Sequence, residues 1–289
     1  MERYMAYSEN LCYEYERSEG GDSGAMYAQA LRGIDLRIER GDFVAVLGRN
    51  GSGKSTLARN LNALLSPTSG TLFIKGIDAR KPENVWDVRQ ATGMVFQNPD
   101  SQLIATVVEE DVAFGPENLG IPPAEIRKRV ESSLKSVKMS GYATHAPQYL
   151  SGGQKQRVVI AGILAMEPEC IVLDEPTAML DPSGRREVLE TVTRLNKEAN
   201  VTVILITHYM EEAVLAKRVV VMDGGSVAME GTPREIFRRV EELRKIGLDV
   251  PQTAAISHAL RQNGVDMEIA LTVDEFVESY VKFLGSRCA

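Results

Sequence analysis

The chain reads as an α/β protein built on a mostly parallel sheet covered on both faces. Two observations predict this: short, β-branched apolar runs alternate with stretches of helical spacing, and three of those runs end in polar residues at their carboxyl side. Ligands of such sheets bind beyond the carboxyl ends of the strands, so the three polar ends are expected to converge. The 289 residues carry 33 basic and 40 acidic side chains, a net charge of −7 and 44% hydrophobic content. That balance suits one large domain with an appendage, or two modest domains, and excludes collagen-like, low-complexity and disordered classes. Charge interrupts every apolar run well short of the roughly 18 residues a membrane span needs. The opening MERYMAYSENLCYEYERSEG has alternating charge and no apolar core of the signal-peptide kind, which predicts a cytosolic chain. Cys12, Cys170 and Cys288 are too scattered for a disulfide framework or a zinc site and read as reduced structural thiols.

Taken in order, residues 30 to 47 read as a strand segment, a turn at Glu39-Arg40-Gly41-Asp42, and a buried strand over 43 to 47. That strand stops at glycine, and residues 48 to 56 read Gly-Arg-Asn-Gly-Ser-Gly-Lys-Ser-Thr. Leu57, Leu61, Leu64 and Leu65 follow at helical spacing and end before Ser66-Pro67. A second buried strand, Cys170-Ile171-Val172-Leu173, ends in Asp174-Glu175-Pro176, and a third, over 201 to 206, ends in Thr207-His208. Residues 116 to 168 are rich in helix formers and read as a helical insert. Its triplet Arg127-Lys128-Arg129 is interspersed with acids, as a solvated helix face is, and predicts no nucleic-acid partner. After Gly231-Thr232-Pro233 the character changes, giving a division into 1–232 and a C-terminal helical appendage, 233–289. Ile236, Phe237, Val240 and Leu243, then Val273, Phe276, Val277, Tyr280 and Leu284, recur at three- and four-residue spacing on two helical segments. The stretch between the two opens with residues 247 to 251.

Residues 48 to 55 fit G-x-x-x-x-G-K-[ST] without deviation. Gly48, Gly51 and Gly53 let the N–H groups around Asn50 and Ser52 curl into a phosphate cradle. The helix beginning near Thr56 adds its positive end, Lys54 neutralises β/γ oxygens, and Ser55 offers a hydroxyl to Mg²⁺. Asp174, at a strand end, can hold the metal through water. Because neighbouring strand residues point to opposite sides, Glu175 is left to polarise the attacking water as general base. Gln97, after Met94-Val95-Phe96, can reach the metal or the water. His208 can contact the γ-phosphate from the end of its strand. His145 and His258 have no such position and read as structural.

The octet Leu150-Ser151-Gly152-Gly153-Gln154-Lys155-Gln156-Arg157 resembles the signature motif of ATP-binding-cassette ATPases. The family's other elements follow in order: the phosphate loop, Gln97 as Q-loop glutamine, the signature, Asp174-Glu175 as Walker B, a D-loop ending in Asp181, and the switch histidine His208. The resemblance covers roughly residues 8 to 232. It implies a RecA-like α/β core, an antiparallel β subdomain and a helical signature subdomain, here about 98–168. It implies ATP and Mg²⁺ as cofactors. It also implies that Ser151, Gly152, Gly153 and Gln154 cap the γ-phosphate of ATP on a partner cassette. Ser151-Gly152-Gly153 before a helical run is an anion-attracting helix start, consistent with that role. The family's adenine-stacking aromatic best matches Tyr15, with Tyr13 as the competing choice, although the glycine-rich connection from Glu16 to Ala30 is longer than in most cassettes.

Gln97-Asn98-Pro99-Asp100-Ser101-Gln102, continuing through Asp111-Val112-Ala113-Phe114-Gly115 to Asn118, resembles the Q-loop region of the ATPases of energy-coupling factor (ECF) transporters. The first of their two ATPase types is the best match. This implies a peripheral protein at the cytoplasmic face of the membrane, coupling ATP hydrolysis to uptake of a vitamin or of cobalt or nickel. The implied partners are a second cassette, identical or paralogous, a transmembrane T component, and a substrate-binding S component that sets the cargo. Asp100, Gln102 and the 111–118 segment are the expected contacts for the coupling helices of the T component. The C-terminal helices suit the same group, in which they help hold the dimer. The alternatives are the ATPase of a conventional ABC transporter, or a cassette acting on a soluble or nucleic-acid partner.

Overall fold

The computed structural model describes residues 3–17 and 26–287, so Cys288 and the middle of the 16–30 connection lie outside the described residues. Two sheets form the scaffold. The first is antiparallel, ordered β2-β1-β4-β5, from β1 (Tyr4–Arg17), β2 (Met26–Glu39), β4 (Ser69–Ile74) and β5 (Ile77–Asp78). β1 and β2 are paired along most of their length with irregularities near Leu11 and Tyr13. The second sheet has the order β10-β9-β3-β8-β7-β6. Its parallel strands are β3 (Phe43–Gly48), β6 (Thr92–Val95), β7 (Cys170–Asp174), β8 (Thr202–Ile206) and β9 (Arg218–Asp223), with β10 (Ser226–Gly231) antiparallel at one edge. The α/β class, the parallel core and the antiparallel subdomain expected above are thus all present.

The parallel strands are buried on both faces because their side chains alternate between two cores. Val44, Val46, Val172, Ile204 and Val220 pack with the antiparallel sheet and with α1 (Lys54–Leu61). Ala45, Leu47, Ile171, Leu173 and Val221 pack on the other side with α5 (Gly152–Leu164) and α6 (Pro182–Ala199). The short helices α2 (Val85–Ala91) and α7 (Met210–Ala213) enter β6 and precede β9 respectively. The helical layer is completed by α3 (Val108–Asn118) and α4 (Pro123–Ser136), which pack against α5.

Three boundaries differ from the sequence reading. α1 ends at Leu61, four residues early: Ala63 takes a left-handed turn, and the N–H groups of Leu64 and Leu65 both return to the Arg59 carbonyl. The helical insert opens at Val108 rather than at 116, with Pro116 inside its first helix. Residues 247 to 251 lead directly into a helix that the pattern reading did not separate, α10 (Gln252–Gln262), which starts after Pro251 as helices do after a fixed φ.

The region after 232 opens with two helices that pack on the parallel sheet's core. A capping box at Thr232, its hydroxyl accepting from the N–H of Glu235 and the Glu235 carboxylate accepting in return from the Thr232 N–H, starts α8 (Pro233–Phe237). α9 (Val240–Lys245) follows. Ile236, Phe237, Val240 and Leu243 are buried in the same cluster as Ala45, Ile171 and Val219, so this half of the expected appendage belongs to the ATPase core. The last helix, α11 (Val273–Arg287), keeps Val273, Val277, Val281 and Leu284 exposed.

Candidate active site

The carboxyl ends of β3, β7 and β8 meet on one side of the sheet, as their polar termini required. The loop after β3 places Gly51 and Gly53 at φ 80 and 100, left-handed values that side chains resist. Gly48 approaches its own loop so closely that a Cβ there would lie 2.4 Å from Ser52 Oγ. Ser52 Oγ itself is buried with no hydrogen-bond partner among the described residues. Lys54, nearly out of solvent, donates from Nζ to the carbonyls of Gly48 (2.8 Å) and Arg49 (3.0 Å). Burial draws its pKa down while Glu175 and Asp174 raise it.

Ser55 Oγ donates to Asp174 Oδ1 at 3.1 Å, joining the loop to β7. Burial pushes the Asp174 carboxyl up from the usual range, the Ser55 hydrogen bond draws it down, and Glu175 pushes it up. A buried carboxylate beside a hydroxyl, with its charge poorly compensated, is a donor set suited to a hard divalent cation that keeps water and phosphate oxygens as its other ligands. Among the described residues, no group of three or more His, Cys, Asp and Glu is placed to hold a metal ion by itself.

Glu175 leaves the strand: its φ is 50, so the carboxylates of Asp174 and Glu175 part company through a left-handed residue after β7 and not through strand alternation. The turned carboxylate meets His208 Nδ1 at 3.3 Å and Gln97 Nε2 at 3.4 Å through the same Oε2. Three motifs separated in sequence thus converge on one oxygen. Tyr15 lies across the phosphate loop, its hydroxyl 3.2 Å from Thr56 Oγ1 and its ring edge-on to Tyr13 at 4.9 Å. Tyr15, Asn50, Gly51, Gly53, Lys54, Ser55 and Thr56 line a cleft of about 400 Å³, and Tyr13 is absent from its wall.

A second cleft, about 800 Å³, continues past Gln97, Glu175 and His208 to a wall that motif reading missed. Gly247, Leu248, Asp249, Val250 and Gln252 form it, with Arg49 packed over Gly247, where a Cβ would lie 2.9 Å from Arg49 Cδ. The glycine and proline of this stretch signal a turn, but nothing local signals that it crosses the phosphate loop.

The signature residues line neither cleft. Ser151 caps α5 by a capping box, its Oγ accepting from the Gln154 N–H (3.3 Å) and its N–H donating to Gln154 Oε1 (2.9 Å). Asp181 caps α6 through the Gly184 N–H at 3.3 Å. Asp100 and Gln102 are separated by their partners. Asp100 forms an ion pair with Lys155 on α5 at 2.7 Å. Gln102 folds back on the backbone, accepting from the Phe96 N–H at 3.0 Å and donating to the Phe96 and Asn98 carbonyls. Gln102 also borders an apolar cleft of about 370 Å³ with Leu64, Trp86, Phe96, Phe114 and Asn118, and Asp100 does not.

The ABC transporter family profile matches residues 31–178. The energy-coupling factor transporter ATP-binding protein EcfA1 of Caldanaerobacter subterraneus is 58% identical over 276 residues, covering 95% of this chain and 98% of that protein. Its counterpart in Clostridium novyi is 55% identical over 280 residues, covering 96% and 98%. Among solved structures, cbiO1 from Clostridium perfringens, part of the ABC transporter complex cbiONQ, matches with a TM-score of 0.74 at 38% identity, covering 90% of this chain and 100% of that one. An ATP-binding cassette solved as a dimer in a post-hydrolysis state with ADP and Pi matches with a TM-score of 0.69 at 31% identity, covering 79% and 99%.

Fold, site and likeness together define an ATP-binding-cassette ATPase, and ATP hydrolysis coupled to transport is its activity. Within the ABC transporter family, the chain belongs to the energy-coupling factor transporter ATP-binding proteins of the EcfA1 type.

Proposed function

We propose that the chain is the motor subunit of an importer for a micronutrient, a vitamin or cobalt or nickel, and that Glu175 is the base of its hydrolytic site. The observation that carries the second part is the meeting of Glu175 with His208 and Gln97 beside a phosphate loop and a buried aspartate. ATP lies with its adenine against Tyr15 and its phosphates in the cradle of residues 48 to 56. Lys54 turns from its own carbonyls to the β/γ oxygens. Water placed at Glu175 Oε2 attacks the γ-phosphorus and gives its proton to that carboxylate as the bond to the β-γ bridging oxygen breaks. His208 holds the carboxylate and the γ-phosphate in register, and Gln97 orients the water. Ser55 and Asp174, with Gln97, would hold Mg²⁺, which when bound supplies charge neutralisation to the phosphate oxygens.

The signature residues line neither cleft of their own chain, which supports a partner cassette whose nucleotide they cap. The γ-phosphate then bonds both halves, and hydrolysis releases them. The apolar cleft bordered by Gln102, Trp86 and Phe114 supports a contact for the T component, with substrate choice left to an S component. The exposed face of α11 supports a contribution to the cassette dimer. The likeness to ATP-binding proteins of a membrane transporter supports a peripheral place at the cytoplasmic face of the membrane; no helix among the described residues is long and apolar enough to cross one.

The test is Glu175→Gln in the complex purified from detergent-solubilised membranes. It should bind ATP normally, lose turnover and accumulate as a closed dimer. Near-normal turnover removes Glu175 from the base role, and failure to co-purify any membrane subunit defeats the importer reading.

A further inference from the structure

Behind the catalytic pair lies a second carboxylate. Glu212, on α7, is only 2% exposed. It accepts hydrogen bonds from two hydroxyls, Thr177 Oγ1 on Oε1 at 2.5 Å and Thr207 Oγ1 on Oε2 at 2.6 Å. Thr177 lies two residues after Glu175, and Thr207 lies immediately before His208. One buried side chain, which lines neither cleft, therefore bridges the two loops that carry the catalytic pair.

The bridge extends to a third motif. Arg185, on the first turn of α6 behind Asp181, lies with Nε 3.8 Å from Glu212 Oε1. That Nε is buried with no hydrogen-bond partner among the described residues, so the electrostatic attraction to Glu212 is its compensation. The Arg185 guanidinium lies over the Tyr209 ring at 3.6 Å, and the Tyr209 ring lies tilted against His208 at 4.1 Å. Thr207 Oγ1 also accepts from the Tyr209 N–H at 3.0 Å, which shapes the turn on which His208 stands.

We propose that Glu212 is a positioning residue for hydrolysis: it fixes the 3.3 Å approach of His208 to Glu175 by tying Thr177, Thr207 and Arg185 to one buried carboxylate. A buried carboxylate accepting two hydroxyl hydrogen bonds holds a geometry that each loop alone does not, because either loop moves only by leaving a charged acceptor unsatisfied. The same tie links the catalytic pair to α6, whose N-terminus carries Asp181. Movement of that helix end is thereby transmitted to His208 and Glu175.

The proposal rests on the reading of Glu175 as base, and the experiment separates the two. Full-length chain, assembled with its membrane partners, is measured for ATP hydrolysis as Glu212→Ala, Glu212→Gln, Thr207→Val, Thr177→Val and Glu175→Gln. Glu212→Ala should lower kcat by about tenfold to a hundredfold, the cost of unsatisfied buried hydrogen bonds expressed as rate, with KM for ATP changed less than about twofold. Glu212→Gln keeps one acceptor oxygen and should recover part of the loss. Should Glu212→Ala fail to fold, the two valine variants, which keep volume and lose the bond to Glu212, Thr207→Val losing the Tyr209 N–H bond as well, should lower kcat in the same way. Unchanged kcat in the foldable variants, or an equal loss in kcat and ATP affinity, overturns the positioning role. If Glu175→Gln abolishes turnover while the Glu212 and threonine variants are normal, this inference fails and the base assignment stands. If Glu175→Gln is active, the base assignment itself fails.

Discussion

At the scale of single residues, the site is a set of buried charges arranged for a triphosphate. Lys54 is held inside the loop by two carbonyls, and burial lowers its pKa against the pull of Glu175 and Asp174. An ammonium so placed gains most from a ligand that brings negative charge, because a charge-assisted bond to phosphate replaces weaker bonds to neutral carbonyls. Lys54→Ala is expected to weaken ATP binding about tenfold to a hundredfold, from the roughly 1.5–3 kcal/mol carried by a hydrogen bond to a charged group. Titration with a fluorescent nucleotide measures this, and an unaltered affinity would take the lysine out of the phosphate site. Glu175 makes a complementary point. Its left-handed backbone is a strained conformation at a functional position, retained because its N–H bonds the Ile206 carbonyl at 2.9 Å and its carboxylate meets His208 and Gln97.

At the scale of elements, the signature helix and the helix behind the D-loop are locked at their starts. A Cβ on Gly153 would lie 2.7 Å from Gly184 Cα, and one on Gly184 would lie 3.2 Å from Gly153 Cα and 2.9 Å from Asp181 Oδ1. Two glycines, one from each helix, therefore set how closely α5 and α6 approach, and with them the spacing of Ser151 and Asp181. Gly184→Ala should cost about 1–3 kcal/mol by overpacking this crossing. Chemical denaturation reads the loss, and a variant with wild-type stability would show that the helices tolerate separation. The ion pair of Asp100 with Lys155 ties the Q-loop segment to the same α5, so the region expected to meet the membrane partner is attached to the helix that begins with the signature.

At the scale of the whole molecule, the first helices after 232 share their apolar core with the ATPase sheet. Phe237 is fully buried in the cluster that also holds Ala45, Ile171 and Val219. Phe237→Ala should therefore lower the stability of the entire chain by about 3–5 kcal/mol. The midpoints of nucleotide binding and of circular dichroism during denaturation should shift together. If binding persisted while only part of the helical signal was lost, residues 233 to 289 would be an independent unit after all. The wall formed by Gly247, Asp249 and Gln252 beside His208 fits the shared core, because α9 and the strand-end loops pack on the same side of the sheet.

The amino-acid sequence by itself determined the cradle at residues 48 to 55, the signature at 151 to 154, the strand-end acids and His208, and the α/β class. Each is a run of consecutive residues whose chemistry is carried by local backbone or by a strand terminus, and local patterns are legible without coordinates. The tertiary structure alone decided that Glu212 bridges Thr177 to Thr207, that Arg49 lies over Gly247, and that Ile236 to Leu243 fill the common core. Those contacts join segments far apart along the chain, and what brings them together is the packing of helices on an open, six-stranded sheet, a property of the whole fold that no single stretch of residues contains.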